Sequence, residues 1–417
     1  MDFDYIHNLS VLDLTMKFRN NEKALVSLAE ALKVNSSLTY LNLSLNNIGK
    51  EGLVSLAEAL KVNSFLTFLD LRDNTIRKDD VVSLTEALKV NSSLIILNLS
   101  CNQIENQGIS TLSEALKVNS SLTKLGLMEN KIEEVKALAE TLKENSSLTE
   151  LYLSWNKIKE IKALAEALKV NSSLTSLNLS WNQIEKESAE ALSEALKVNS
   201  SLTWLDLTNN KIEEVEALAE ALKVNSSLTE LELNGNKIRK VEALAEALKV
   251  NSSLTKLELG GNKIREVEAL AEALKVNSSL TKLELDGNNI REVKTLAETL
   301  KVNSSLTELE LNGNKIREVE ALAEALKVNS SLIKLGLNCN KIEKKGAEAL
   351  AEALKENSSL TVLYLCNNQI EDVKVLAEAL KVNSSLTWLD LSYNNIEEDK
   401  TLAEALKVNS TLTELNL

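Results

Sequence analysis

Leucine residues recur along the chain in the pattern Leu-x-x-Leu-x-Leu-x-x-Asn, from Leu38 to the end. Subtracting successive asparagine positions gives steps of 28 (74 minus 46) or 26 (156 minus 130) residues. Such a fixed period predicts a solenoid, in which each unit buries its apolar face against its neighbours. The asparagine positions are 46, 74, 102, 130, 156, 182, 210, 236, 262, 288, 314, 340, 368 and 394.

Each unit is expected to contain one strand and one helix. Alternation predicts that Leu231 and Leu233 point inwards from a strand, while Glu232 points to the opposite face. Asn236 is expected to turn inwards as well, and a column of such asparagines would then hydrogen bond to the loop backbone. The segment after it places Val241, Leu244 and Leu248 at helical spacing.

The spacing of the two kinds of element predicts the shape of the array. Helices need about 10 Å of lateral room, whereas paired strands lie about 4.8 Å apart. We therefore expect an α/β horseshoe with a parallel β-sheet on the concave face and α-helices on the convex face. Residues 1–37 are interpreted as a degenerate repeat that caps the array, and residues 38–417 as the array itself.

The two ends of the array are expected to differ. Near the start, aromatic and aliphatic residues are expected to cover the degenerate first strand. The last strand carries core-type leucines with no unit stacked on them. Either more sequence once followed this strand or a second copy covers it, and we predict self-association through this edge. The first set is Phe3, Tyr5 and Ile6, and the second is Leu412, Leu415 and Leu417.

The unit LTYLNLSLNNIGKEGLVSLAEALKVNS resembles the leucine-rich repeat of the ribonuclease-inhibitor type. This repeat is found in NOD-like receptors, Ran GTPase-activating proteins and ribonuclease inhibitor. The resemblance implies an intracellular scaffold that binds a protein, and the sequence lacks the nucleotide-binding domain of the receptors. A GTPase activator is the alternative: Arg72 is the one arginine at the concave strand positions, but the long acidic tail of that family is missing.

Charge and composition narrow the class of partner. With 47 basic and 61 acidic residues the net charge is −14, which disfavours nucleic acid or an anionic membrane and favours a basic protein partner. No signal sequence or membrane span is recognised, so a cytoplasmic location is expected. Cys101, Cys339 and Cys366 fit no metal spacing and are expected to be free thiols, and the repeated Asn-Ser-Ser segments are interpreted as turns rather than glycosylation sites.

Aromatic residues gather on the fifth to seventh complete strand motifs. Trp155 and Trp181 occupy the same position of adjacent units and should stand side by side, with Tyr152 and Trp204 nearby. Such a set on the concave surface is typical of a binding interface. The alternative is that the rings pack flat against neighbouring loops.

Four glutamates recur at one strand position of consecutive units, where like charges should repel unless Lys256 and Lys282 relieve them. Glycines follow the glutamates, and a row of arginines lies on the loops beyond. The pattern indicates an acidic groove with a basic rim that a cationic protein could enter, or else a by-product of recent duplication. The glutamates are Glu232, Glu258, Glu284 and Glu310; the glycines are Gly235, Gly261, Gly287 and Gly313; the arginines are Arg239, Arg265, Arg291 and Arg317.

The residue types needed for catalysis are scarce. His7 is the only histidine, and no nucleophilic set, phosphate loop or metal cluster is recognisable. We therefore expect no enzyme activity, no cofactor and no metal. The sequence predicts a protein-binding scaffold, with a GTPase activator or a self-assembling structural module as alternatives.

Overall fold

A computed structural model describes residues 3–19, 21–396 and 400–417, and the side chains of Asp4 and Tyr5 lie outside the described part. The chain divides into two compact units, Met1–Lys211 and Ile212–Leu417. Both units alternate short parallel strands with helices.

The first unit opens with a 3-10 helix at Asp4–Asn8. Its strands are β1 Val11–Asp13, β2 Tyr40–Asn42, β3 Phe68–Asp70, β4 Ile96–Asn98, β5 Lys124–Gly126, β6 Glu150–Tyr152, β7 Ser176–Asn178 and β8 Trp204–Asp206. Its helices are α1 Glu22–Val34, α2 Lys50–Val62, α3 Val81–Leu88, α4 Glu105–Leu116, α5 Lys136–Leu142, α6 Lys162–Leu168 and α7 Lys186–Leu196.

The second unit repeats this arrangement. Its strands are β9 Glu230–Glu232, β10 Lys256–Glu258, β11 Lys282–Glu284, β12 Glu308–Glu310, β13 Lys334–Gly336, β14 Val362–Tyr364, β15 Trp388–Asp390 and β16 Glu414–Asn416. Its helices are α8 Glu216–Leu222, α9 Glu242–Leu248, α10 Glu268–Leu274, α11 Lys294–Leu300, α12 Glu320–Leu326, α13 Lys344–Glu356, α14 Lys374–Leu380 and α15 Lys400–Val408.

Within each unit, every strand pairs in parallel with the next one along the chain, and equivalent residues face each other. In the second unit Leu231 lies opposite Leu257, and Leu257 lies opposite Leu283. These leucines are fully buried against the helix layer, because alternate strand residues point to one face of the sheet. The predicted fold class, an α/β solenoid with a parallel sheet on one side and helices on the other, is confirmed.

Repeats of 28 and 26 residues differ where the chain enters the helix. In the longer type, α2 has 13 residues and contains Gly52, where a Cβ would overlap Leu25. In the shorter type, Val241 replaces this turn and α9 has only 7 residues. The shorter repeats therefore begin their helices later and leave more of the preceding loop uncovered.

The inward-facing asparagines form the predicted column. The Nδ2 group of Asn262 donates to the carbonyl oxygens of Leu233 (3.0 Å) and Leu259 (3.0 Å), and its Oδ1 accepts from the N–H of Ile238 (3.0 Å). Leu233 and Ile238 belong to the preceding repeat. The asparagine is 4% exposed, so its amide pairs backbone groups that have no access to water.

The Asn-Ser-Ser segments are turns that also join neighbouring repeats. Asn251 accepts from the N–H groups of Ser253 (3.1 Å) and Leu254 (2.8 Å). Its Nδ2 donates to the carbonyl oxygen of Leu222 (2.8 Å), at the end of the preceding helix. The sequence expectation of a turn is confirmed, and the buried amide already has its hydrogen-bond partners.

The two ends differ in coverage. Phe3 and Ile6 are buried, and the ring of Phe3 meets Phe18 edge-on at 5.8 Å between centroids. The predicted role of the Tyr5 side chain lies outside the described residues. At the other end Leu412 and Leu415 are half-buried and Leu417 is 66% exposed.

Candidate functional site

Trp155 and Trp181 lie on the loops that leave β6 and β7. Both adopt the left-handed backbone conformation, with φ of 56° and 53°, at the position that Gly235 and Gly261 fill in other repeats. The backbone N–H of Trp155 donates to the carbonyl of Ser180 at 3.0 Å, which keeps the two loops parallel. Such a backbone costs a residue with a side chain about 1–2 kcal/mol, so tryptophan is not the conformationally easy choice here.

The two indole rings stack on each other, with centroids 4.0 Å apart and planes 11° from parallel. Trp155 is 50% exposed and Trp181 is 43% exposed. The prediction that they stand side by side is confirmed. Each ring covers one face of its neighbour, and a large part of the pair remains open to solvent.

Tyr152 and Trp204 form a second aromatic contact, on strands β6 and β8. Their ring centroids are 6.2 Å apart across β7, where the small Ser176 faces Trp204. The Tyr152 hydroxyl donates to Glu150 at 2.7 Å. Burial and this hydrogen bond raise the pKa of Tyr152. The predicted set of four aromatics is thus two pairs, one half-buried on the sheet and one exposed on the loops.

Lys124 on β5 contacts two residues of the neighbouring strand β6, Glu150 and Tyr152. Its Nζ lies 2.8 Å from Glu150 and 4.8 Å from the centre of the Tyr152 ring. Burial opposes the charged form of Lys124, but the hydrogen bonds to Glu150 and Tyr152 outweigh it and raise the pKa of the lysine. Tyr152 is therefore already held by contacts within the chain.

The four glutamates do not form an open acidic row. Lys256 Nζ lies 2.7 Å from Glu232 and 2.9 Å from Glu258, and Lys282 Nζ lies 2.8 Å from Glu258. Glu258 and Glu310 are buried, at 7% and 5% exposure. Lysines at the first position of the strands neutralise most of the charge that was expected to attract a basic partner.

Glu310 is buried because of what faces it on the next strand. It lies opposite Gly336, where a Cβ would overlap Glu310 Oε2. The bare glycine lets the carboxylate lie over β13, and Lys334 from the same strand pairs with it at 2.7 Å. Asn312 donates to its other oxygen at 2.9 Å.

Glu284 is the one glutamate of the four that is poorly neutralised. Its nearest ion-pair contact, Lys282, is at 3.6 Å. Burial, followed by the charges of Glu258 and Asp286, raises the pKa of Glu284 to about 7. Burial also raises the pKa of Asp286, although Asn312 donates to it at 2.7 and 2.9 Å.

The four arginines expected as a basic rim lie in the second unit, three residues after the column asparagine of each repeat. All four are exposed: Arg239, Arg265, Arg291 and Arg317. They line clefts along the loops of the short repeats, and the third cleft is also bordered by Lys345 and Gly346 in the first turn of α13. The equivalent residues before and after this row are acidic, Glu213 and Glu343.

A family model described as "Leucine Rich repeat" matches the chain in ten segments. The matched residues are 34–57, 62–84, 90–113, 144–159, 170–193, 224–241, 250–265, 302–317, 328–351 and 382–399. The chain is a leucine-rich repeat protein. Every matched segment contains one strand and the column asparagine that follows it, and five of the segments also reach into the next helix, so the family match and the observed repeat agree in register.

Solved structures resemble this leucine-rich repeat protein in fold. An internalin (inlF) from Listeria monocytogenes aligns with 96% of this chain and 96% of its own at 23% identity and a TM-score of 0.56. The APL1 leucine-rich repeat domain aligns with 90% of this chain and 82% of its own at 18% identity and a TM-score of 0.49. The comparison with curated proteins found no match.

Other types of site have no support in the described part of this leucine-rich repeat protein. No group of three or more His, Cys, Asp or Glu residues there could hold a metal ion. Among those residues, no helix has the length and apolar character needed to cross a membrane. Cys101, Cys339 and Cys366 are free thiols, as predicted.

The sequence predicted only some of the residues that neutralise the glutamates. It identified Lys256 and Lys282, but not Lys334 or the space above Gly336. The sequence contained this information, because the strand register places Lys334 opposite Glu308 and Gly336 opposite Glu310. Where a strand position changes from a charged residue to glycine, the missing side chain can leave space for a side chain of the neighbouring strand.

Proposed function

We propose that this leucine-rich repeat protein is a non-enzymatic scaffold that binds a partner protein through the Trp155–Trp181 pair. Leucine-rich repeat proteins generally bind proteins, and the exposed stack of two indoles is the observation that points to this surface. Truncating an aromatic anchor of an interface typically costs 2 kcal/mol or more. The stack also presents a rigid apolar surface, because each ring restricts the other.

In this proposal Tyr152 and Trp204 contribute less to binding than the Trp155–Trp181 pair. They are half-buried and already in contact with each other, so they provide a fixed apolar floor rather than the main anchor. Glu232, Glu258, Glu284 and Glu310 are left out of the binding surface, because lysines of the same sheet pair with most of them.

We also propose that the repeats are of the ribonuclease-inhibitor type and that the protein is located in the cytoplasm. A helix in every repeat supports the ribonuclease-inhibitor type, as in the NOD-like receptors and Ran GTPase-activating proteins that the sequence resembles. Free thiols at all three cysteines support the cytoplasm, where disulfides are rare.

The test compares two double variants of the same unit. Trp155→Ala with Trp181→Ala removes the stack, whereas Glu166→Ala with Lys169→Ala removes an exposed ion pair (2.7 Å) on helix α6 of the same unit. A partner is first captured by crosslinking and identified, and its binding to each purified variant is then measured by calorimetry. We expect the tryptophan variant to bind about 30-fold more weakly or worse, and the helix variant to bind like the wild type.

Circular dichroism serves as the control for folding, and both variants should retain the wild-type spectrum. If the helix variant loses binding while the tryptophan variant keeps it, the partner binds the helix side and the proposal is wrong.

A further inference from the structure

The exposed arginines of the second unit differ in their pairing from the lysines that follow its helices. On the helices, lysines pair with a glutamate three residues earlier, as Lys275 does with Glu272 at 2.6 Å and Lys301 with Glu298 at 2.8 Å. Within residues 212–396 and 400–417, none of the four arginines has an ion-pair partner. The four are Arg239, Arg265, Arg291 and Arg317.

The arginines border three adjoining clefts. The first has a volume of about 550 Å³ and is lined by Arg239 and Arg265. The second, of about 600 Å³, is lined by Arg265 and Arg291. The third, of about 1120 Å³, is lined by Arg291 and Arg317. Because neighbouring clefts share an arginine, they form one groove that crosses five repeats, the first four of which carry an arginine.

We propose that this groove binds an extended, acidic segment of a partner polypeptide. Arginine binds carboxylates in a two-pronged geometry, and the groove offers one arginine in each of four successive repeats. Side chains on one face of an extended peptide recur about every 6.6 Å. This spacing lies between the strand spacing of about 4.8 Å and the helix spacing of about 10 Å, and the arginine loops lie between these two layers.

The acidic residues of the groove favour a polypeptide over a nucleic acid as its ligand. Glu266 and Glu292 lie in the same clefts as the arginines. A continuous row of phosphates would meet these carboxylates as well, whereas a peptide can place its backbone N–H groups against them and its carboxylates against the arginines. The row of four arginines ends where the equivalent residue is acidic, at Glu213 on one side and at Glu343, which itself lines the third cleft, on the other.

The binding probe is a labelled synthetic peptide of alternating glutamate and serine, long enough to cross four repeats. A second peptide with lysine in place of glutamate is the charge control. Arg265→Gln with Arg291→Gln removes the two arginines that neighbouring clefts share. Lys275→Gln with Lys301→Gln is the matched variant, since it removes the same charge from the helices of the same repeats.

Fluorescence anisotropy with the full chain should show that the wild type binds the glutamate peptide and not the lysine peptide. We expect the arginine variant to bind about tenfold more weakly or worse, and the lysine variant to retain wild-type affinity. The Trp155→Ala with Trp181→Ala variant should also bind the peptide normally, so that this site and the tryptophan site are tested separately.

Three results would overturn the proposal. The wild type could fail to bind the glutamate peptide, or both charge variants could weaken binding equally, which would indicate a general charge effect. A single-stranded oligothymidylate could also bind as tightly as the peptide at the same salt concentration, which would make the groove a nucleic-acid site.

Discussion

Replacing Glu284 by glutamine should stabilise the protein above pH 4.5, with the full gain at neutral and higher pH. In the folded chain the pKa of Glu284 rises from an ordinary value of 4.5 to about 7, because of burial and the charges of Glu258 and Asp286. Its side chain is 21% exposed, so solvent screens this effect only partly. A difference from 4.5 to about 7 corresponds to about 3.5 kcal/mol, at about 1.4 kcal/mol per pH unit, and partial screening by solvent reduces it to about 3 kcal/mol.

The direction follows from proton binding. Because the pKa of Glu284 is higher in the folded protein, the folded state binds more protons than the unfolded state between pH 4.5 and about 7. The stability that this group contributes is therefore fully present below pH 4.5 and is lost as the pH rises to about 7. Glutamine resembles the protonated form and has no charge to bury at any pH.

Urea unfolding followed by far-UV circular dichroism measures the effect. We expect equal free energies of unfolding for wild type and Glu284→Gln below pH 4.5, and a gain of about 3 kcal/mol for the variant near pH 8. A difference between the two proteins that does not change with pH would refute the reasoning, and so would a loss of stability at pH 8.

Glu258→Gln is the matched control, and its effect should have the opposite sign. Burial opposes ionisation of Glu258, but hydrogen bonds from Lys282 and Lys256 outweigh it and hold the pKa of this carboxyl below its ordinary value. The stability it contributes is present at neutral pH and is lost as the pH falls through this lowered pKa. Glutamine at this position should therefore destabilise the protein near pH 8.

Two further predictions concern the asparagine column and the last strand. Asn262→Ala should lower the free energy of unfolding in urea by about 1–3 kcal/mol, since it leaves the buried N–H of Ile238 unpaired and removes one of the donors to the carbonyls of Leu233 and Leu259. Glu246→Ala, on the exposed helix surface, should change it by less than about 0.5 kcal/mol, and similar losses for both would contradict the role of the column. By light scattering, the mass of the wild type should rise with concentration and that of Leu415→Lys with Leu417→Lys should stay constant; a monodisperse wild type at high concentration would exclude association through this edge.

The fold could be predicted from the sequence because its causes are local and repeated. The alternation at Leu231 and Leu233 and the turn at Asn236 recur in almost every unit, so each repeat independently indicates the same strand, loop and helix. The stack of Trp155 on Trp181 could be predicted for the same reason. Equivalent positions in adjacent repeats of a parallel sheet must become neighbours.

The electrostatics of the sheet could be predicted only in part. The sequence places Glu258 beside Glu284 and Glu232, and this predicts repulsion. It does not reveal that Lys256 turns to contact two carboxylates on neighbouring strands, or that the space above Gly336 receives a side chain from elsewhere. These outcomes depend on the rotamers of long side chains and on burial. Neither follows the repeat period, so the sequence pattern does not predict them.

The asparagine bonds also bear on how the length of this protein can change. Asn262 contacts its own loop and that of the preceding repeat, and Asn288 makes the same contacts one repeat later, to Leu285 and Leu259. A deletion of residues 263–288 would therefore bring together two repeats whose contacting loops are equivalent to those they replace. Unequal recombination that respects this period can add or remove binding surface in steps of one strand without breaking the core, so members of such a lineage are expected to differ by whole repeats.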